Sequence, residues 1–72
     1  MKKVSRGNSN QLILDSVIGK TLDQAKELAG FSGFSVRVTR VDEERYFVTM
    51  DLRFDRINLE LENGIIVNSN IG

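Results

Sequence analysis

Val48-Thr49-Met50-Asp51-Leu52-Arg53-Phe54-Asp55-Arg56-Ile57-Asn58-Leu59-Glu60-Leu61 alternates apolar and polar residues, and the alternation changes phase partway. Val48, Met50, Leu52 and Phe54 hold even positions, whereas Ile57, Leu59 and Leu61 hold odd ones. Strand side chains alternate between faces with a period of two, so one continuous strand cannot bury both sets. The register must break between Phe54 and Ile57. The second set runs into Asn63-Gly64, a dipeptide suited to a two-residue hairpin turn because both residues accept positive φ. Ile57 to Leu61 therefore reads as a buried strand. The preceding segment reads as an extended piece whose large apolar side chains point elsewhere, at a partner.

Downstream, Ile65-Ile66-Val67 forms a last short strand and Asn68 to Gly72 finishes the chain. Upstream, Val36 and Val38 alternate with Arg37 and Thr39, which makes Ser35 to Val41 a half-exposed strand. Asp42-Glu43-Glu44-Arg45 is a charged connection into Tyr46-Phe47-Val48. The span between the Ser35–Val41 and Ile57–Leu61 strands is long enough for a crossover, so the two can pair in parallel. One helix precedes them. Thr21 is a good N-cap, Gln24 completes a capping box, and Asp23 sits in the first turn. Leu22, Ala25, Leu28 and Ala29 make one apolar stripe, and Gly30 is the expected terminator. The helix is about two turns long, too short to stand alone, and must pack on a sheet. Phe31 and Phe34 are read as caps on its end. Gln11 to Val17 is read as a short apolar strand or a segment crossing the core, and residues 1–11 as a flexible tail.

These readings give an α+β domain over residues 12–72, with one α-helix on a small mixed β-sheet and an extended loop. The expected core is Leu14, Val17, Ile18, Leu22, Ala25, Leu28, Val36, Val38, Ile57, Leu59, Ile65 and Val67.

Composition narrows the function. Seventy-two residues make one small domain. A chain of that size buries only about 60% of its unfolded surface, which implies a stability of roughly 5–10 kcal/mol. Without cysteine there is no disulfide or thiolate site. Without histidine the commonest general base and metal ligand are missing. Acidic and basic residues balance to zero and are interspersed, whereas nucleic-acid binding needs a clustered basic face. The polar Val4–Asn8 stretch after Lys2 and Lys3 is unlike a secretory signal, and no apolar run approaches the roughly 20 residues of a membrane span. The expected location is cytoplasmic, with export left open. The expected partner is a protein rather than nucleic acid or membrane, and the chain itself a monomer or weak homo-oligomer.

Catalysis is not expected. Asp51 and Asp55 would lie roughly 13 Å apart on an extended segment, beyond a glycosidase pair. They read as solvated or scaffold-paired carboxylates. Asp42, Glu43 and Glu44 lack the spacing and glycine of a calcium loop. Gly19-Lys20-Thr21 precedes a helix but lacks the upstream glycine of a phosphate loop. No catalytic residue, metal or cofactor is therefore assigned. What remains is recognition. An extended segment with a bulky residue at its centre suits a protease cleft, which pairs with it as a strand and takes the side chain in a pocket.

Val48-Thr49-Met50-Asp51-Leu52-Arg53-Phe54-Asp55-Arg56 resembles the reactive-site loop of the potato type I serine-protease inhibitors, a family that includes chymotrypsin inhibitors and eglin-like proteins. The shared pattern is Val-Thr-Met-Asp/Glu-x-Arg-x-Asp-Arg. Asp55-Arg56-Ile57-Asn58-Leu59 is similar to the family's bacterial inhibitor-like branch. Ile18-Gly19-Lys20-Thr21, Ala25-Lys26, Asn63-Gly64-Ile65 and Gly72 extend the likeness, so that it runs from about Leu14 to Gly72. The resemblance implies a loop of Thr49, Met50, Asp51, Leu52, Arg53 and Phe54. It puts Met50 in the primary pocket of a subtilisin- or chymotrypsin-like protease and the scissile bond at Met50–Asp51. It also implies that Arg56 reaches back to the Thr49 and Asp51 side chains, with Asn58 as a second bracing position. Three features depart from the family. Asn58 stands where plant members carry a second arginine. The Val41–Phe47 connection is longer and lacks the usual proline. The plant tryptophan and the cysteines of many bacterial members are absent. Two other readings use the same exposed segment: a module that blocks a non-protease enzyme, and a structural protein that pairs through that segment.

Overall fold

A computed structural model describes residues 6–72, with side chains from Asn10 onward. The elements are α1 (Arg6–Val17), α2 (Leu22–Phe31), β1 (Ser35–Val41), β2 (Glu44–Arg45), β3 (Arg56–Glu62) and β4 (Ile65–Ile71). The strands form one mixed sheet in the order β2-β1-β3-β4. β1 and β3 run parallel, while β2 and β4 flank them in antiparallel fashion. The α+β class, the parallel pair and the Asn63-Gly64 hairpin are as the sequence predicts. Asn63 and Gly64 have φ of 54° and 79°, the left-handed conformations that the two-residue turn needs.

The helix expected from the capping box is α2. Thr21 Oγ1 accepts from the Gln24 N–H, and Gln24 Oε1 accepts from the Thr21 N–H. The helix stops later than the sequence predicts. It runs through Gly30, and Gly33, at φ 81°, supplies the left-handed residue. The Gly33 N–H donates to Gly30 O at 3.1 Å and the Phe34 N–H to Ala29 O at 2.8 Å, the paired bonds of a Schellman ending. Phe34 then packs on the core, but Phe31 stays exposed. Only one of the two expected aromatic caps is in place.

Among the described residues there are two helices rather than one. Arg6 to Gln11 belong to α1, not to the expected flexible tail; residues 1–5 of that tail lie outside the described residues. The Leu12-Ile13-Leu14 run is helical and not a strand. α1 has no acidic residue in its first turn and no basic residue in its last, so its dipole is uncompensated. Docking holds it instead: Ile13 and Val17, four residues apart, are buried in the core, and Leu14 packs beside them. Leu12 faces outward.

α1 packs over β4 and α2 over β1. The core between helices and sheet is Ile13, Val17, Ala25, Ala29, Ile57, Leu59, Leu61 and Ile66. Val17, Ile57, Leu59 and Ile66 are fully buried, and each contributes about 1.5–3 kcal/mol of apolar transfer. Three expected core residues, Ile18, Ile65 and Val67, are exposed. The hairpin explains two of them. A two-residue turn sets Leu61 opposite Ile66 and Glu62 opposite Ile65. Leu61 faces the core, so Ile66 must as well, and Ile65 and Val67 point away. Ile18 lies just past α1, in the turn that leads to Gly19. β4 also runs on to Ile71, with a register shift beyond Ile66. Gly19 N donates to Ile66 O at 2.8 Å and Ile66 N to Lys20 O at 2.9 Å. The α1–α2 link thereby covers part of the outer edge of β4.

Candidate functional site

Among the described residues no helix covers the other face of the sheet, and polar side chains line it. Register sets Arg37 of β1 beside Asn58 of β3, and Asn58 beside Asn70 of β4. A shift at Thr39 changes the phase of β1, so that Arg40 stands beside Glu60. Arg40 pairs with Glu60 at 3.0 Å and Glu62 at 3.1 Å, and Arg45 reaches Glu60 at 3.6 Å. The guanidinium of Arg40 holds the Glu60 carboxyl below its ordinary range.

From Tyr46 to Arg53 the chain has no regular structure, and it turns at Phe54-Asp55 before entering β3. This turn is the phase break seen in the sequence. The loop is tied at both ends. The Tyr46 N–H donates to Thr39 O at 3.1 Å, and the Ser35 N–H to Asp55 O at 2.9 Å. Between those ties Phe47, Met50, Leu52 and Phe54 are all exposed, with Met50 at 96%.

The residues on either side of Met50 are held from below. Arg56 Nη2 donates to Asp51 O at 3.0 Å, and its Nη1 reaches Asp51 Oδ2 at 3.4 Å. Arg56 Nε donates to Gly72 O at 2.8 Å, and the Gly72 N–H returns a bond to Arg56 O at 3.1 Å. Arg56 therefore spans Gly72, just past β4, and the loop; of the two expected side-chain partners it reaches Asp51 and makes no hydrogen bond to Thr49. Thr49 is held by Arg37, whose Nη1 lies 3.2 Å from Thr49 Oγ1 and 3.4 Å from Thr49 O. The Thr49 hydroxyl in turn donates to the Asp51 carboxylate. That bond first, and Arg56 second, hold the Asp51 carboxyl below its ordinary value.

Asn58 occupies a bracing position without touching the loop. Its Oδ1 accepts from Arg37 Nε at 2.9 Å and its Nδ2 donates to Asn70 Oδ1 at 3.0 Å. Gly72 lies so close that a Cβ there would stand 2.9 Å from Asn58 Nδ2. Arg53 turns back onto Asp55 in a two-pronged ion pair, with both N–O distances 3.0 Å. It holds the Asp55 carboxyl low and leaves Met50 as the outward centre of the segment. Asp51 is thus a scaffold-paired carboxylate, whereas Asp55 pairs within the loop, with Arg53. Sequence reasoning missed Arg37. Its only signal was register: in a parallel β1–β3 pair it falls beside Asn58, the position where the resembled family carries its second arginine.

The chain shares its fold with an elastase inhibitor. The solved structure of elastase inhibitor AFUEI matches over 92% of this chain and 93% of that one, with a TM-score of 0.62 and 18% sequence identity. No protein-family model matches the chain, and no curated protein does. Among the described residues no helix is long and apolar enough to cross a membrane, and no group of three or more acidic side chains converges on a common point that could hold a metal ion.

Proposed function

We propose that this chain is a reversible inhibitor of a serine protease with an apolar primary pocket, subtilisin-like or chymotrypsin-like. Thr49 to Phe54 docks as an extended substrate, Met50 fills the pocket, and Met50–Asp51 is the bond presented for cleavage. One observation carries the reading: Met50 is 96% exposed while the residues before and after it are pinned to the sheet by Arg37 and Arg56. A segment already ordered loses less conformational entropy on docking, which favours binding. The same ties keep both sides of the bond aligned after a cut, so resynthesis competes with release. The Val48–Arg56 motif supports a relationship to the potato type I inhibitors, and the shared fold with an elastase inhibitor is consistent with it.

The test is a titration of the purified chain against subtilisin, chymotrypsin and elastase, with mass spectrometry of each mixture over time. Stoichiometric inhibition with slow cutting confined to Met50–Asp51 is the expected result. Rapid turnover at that bond, or no inhibition of any of the three, refutes the proposal and points to a non-protease partner for the same segment.

A further inference from the structure

The two sides of the Met50–Asp51 bond are tied to different strands. Arg56, on β3, holds Asp51 and has no hydrogen bond to Thr49. Arg37, on β1, holds Thr49 through its hydroxyl and carbonyl and approaches the Asp51 carboxylate only at 3.9 Å. Both arginines are largely covered, with side chains 20% and 12% exposed, so their guanidinium groups are held and not free to wander. A guanidinium is planar, and its direction is set once one N–H is fixed. Asn58 Oδ1 fixes Arg37 Nε, and Asn70 fixes Asn58.

We infer that Arg37, aimed by Asn58, is the positioning residue for the Thr49–Met50 half of the loop, and that Arg56 secures only the Asp51 half. The consequence for inhibition rests on the function proposed above; the structural assignment does not. Hydrolysis breaks the Met50 C–N bond to Asp51 and consumes one water, leaving a carboxylate on Met50 and an ammonium on Asp51. Resynthesis expels that water and needs both new ends in place. Before the cut each half restrains the other through the bond between them. After it, the upstream half is tied by Tyr46 to Thr39, by Thr49 to Arg37, and across the cut by the Thr49 hydroxyl to the Asp51 carboxylate. Loss of Arg37 therefore removes the tie from Thr49 to the sheet and leaves the acyl side held at Thr49 only by the hydroxyl bond to Asp51, while Arg56 still grips the other side.

Backbone 15N relaxation on the free full-length chain tests the assignment without any protease. In the wild type, Thr49 to Asp51 should show order parameters near the rigid value of about 0.85. In Arg37→Ala, Thr49 and Met50 should fall below about 0.6 while Asp51 to Phe54 change little. Asn58→Ala should loosen the same two residues, and the double variant no more than Arg37→Ala alone. Asn58→Asp keeps the acceptor and should behave as wild type, because the Asn70 amide can turn to donate. Thr49→Val leaves β1 untouched but removes the hydroxyl bonds to both Arg37 and Asp51, and should loosen residues 49–50 as well; Asn58→Ala, which alters neither Arg37 nor Thr49, covers the case where Arg37→Ala fails to fold. Unchanged order at Thr49, equal loosening of residues 51–54, or additive effects of the two single variants would overturn the assignment. Subtilisin digestion supplies the second arm: the cut form of Arg37→Ala should accumulate at least about tenfold faster than that of wild type. If the wild type inhibits no protease but Thr49 loosens as described, the inhibitor reading fails and the brace stands. If the wild type inhibits and Arg37→Ala matches it in both order and cutting, the brace fails and the inhibitor reading stands.

Discussion

Met50 touches almost nothing in the free chain, where it is 96% exposed, so truncation to glycine removes no contact that holds the fold. In a protease pocket the same side chain would go from fully wet to fully buried. Burying a methionine side chain is worth about 1.5–3 kcal/mol. Glycine also leaves the backbone freer in the unbound loop, which adds about 0.5–1 kcal/mol to the cost of ordering it. Met50→Gly should therefore weaken inhibition by about 2–4 kcal/mol, or roughly 30- to 700-fold in the inhibition constant. The assay is competition against a chromogenic peptide substrate of subtilisin, with thermal melts of both proteins in parallel. The melts should coincide. An inhibition constant changed by less than about threefold would show that Met50 does not occupy the primary pocket. A melting temperature lower by more than about 4–8 °C, equivalent to 1 kcal/mol in a domain of this size, would show that the side chain supports the fold and that its exposure is misread.

Three other perturbations probe the scaffold and the brace. Leu59→Ala empties a fully buried site at the centre of β3 and should cost about 2–5 kcal/mol in urea denaturation; a loss below about 1 kcal/mol would place the core elsewhere. Thr21→Ala removes the side-chain half of the α2 capping box and should cost about 0.5–2 kcal/mol, with no cost if α2 is held by packing alone. Asp51 is bound in its ionised form, and its folded value lies below the ordinary 3.8. Its contribution to the brace is thus complete above pH 3.8 and is lost only as pH falls through the lowered folded value. Carboxyl-detected NMR titration should put the Asp51 midpoint below 3.8, and a midpoint at or above it would mean that the Thr49 and Arg56 contacts do not persist in solution.

Local chemistry alone was enough for much of this molecule. The phase change between Phe54 and Ile57 marked the end of the loop, because side-chain alternation leaves no other way to bury both sets. Asn63-Gly64 specified the hairpin through its positive φ values, and Thr21 with Gln24 specified the start of α2 through paired hydrogen bonds. Each of these signals lies within a few residues of what it controls. The features that escaped depend on residues far apart in the chain. α1 has neither charges to complement its dipole nor a regular apolar stripe along its length, and it is helical because Ile13 and Val17 find a sheet to dock against. The choice of Ile66 over Ile65 and Val67 follows from Leu61 across the hairpin. The second brace is Arg37 because parallel pairing brings β1 within reach of Asn58, 21 residues away in sequence. Side-chain periodicity tells which residues share a face; only the sheet register tells which of them meet.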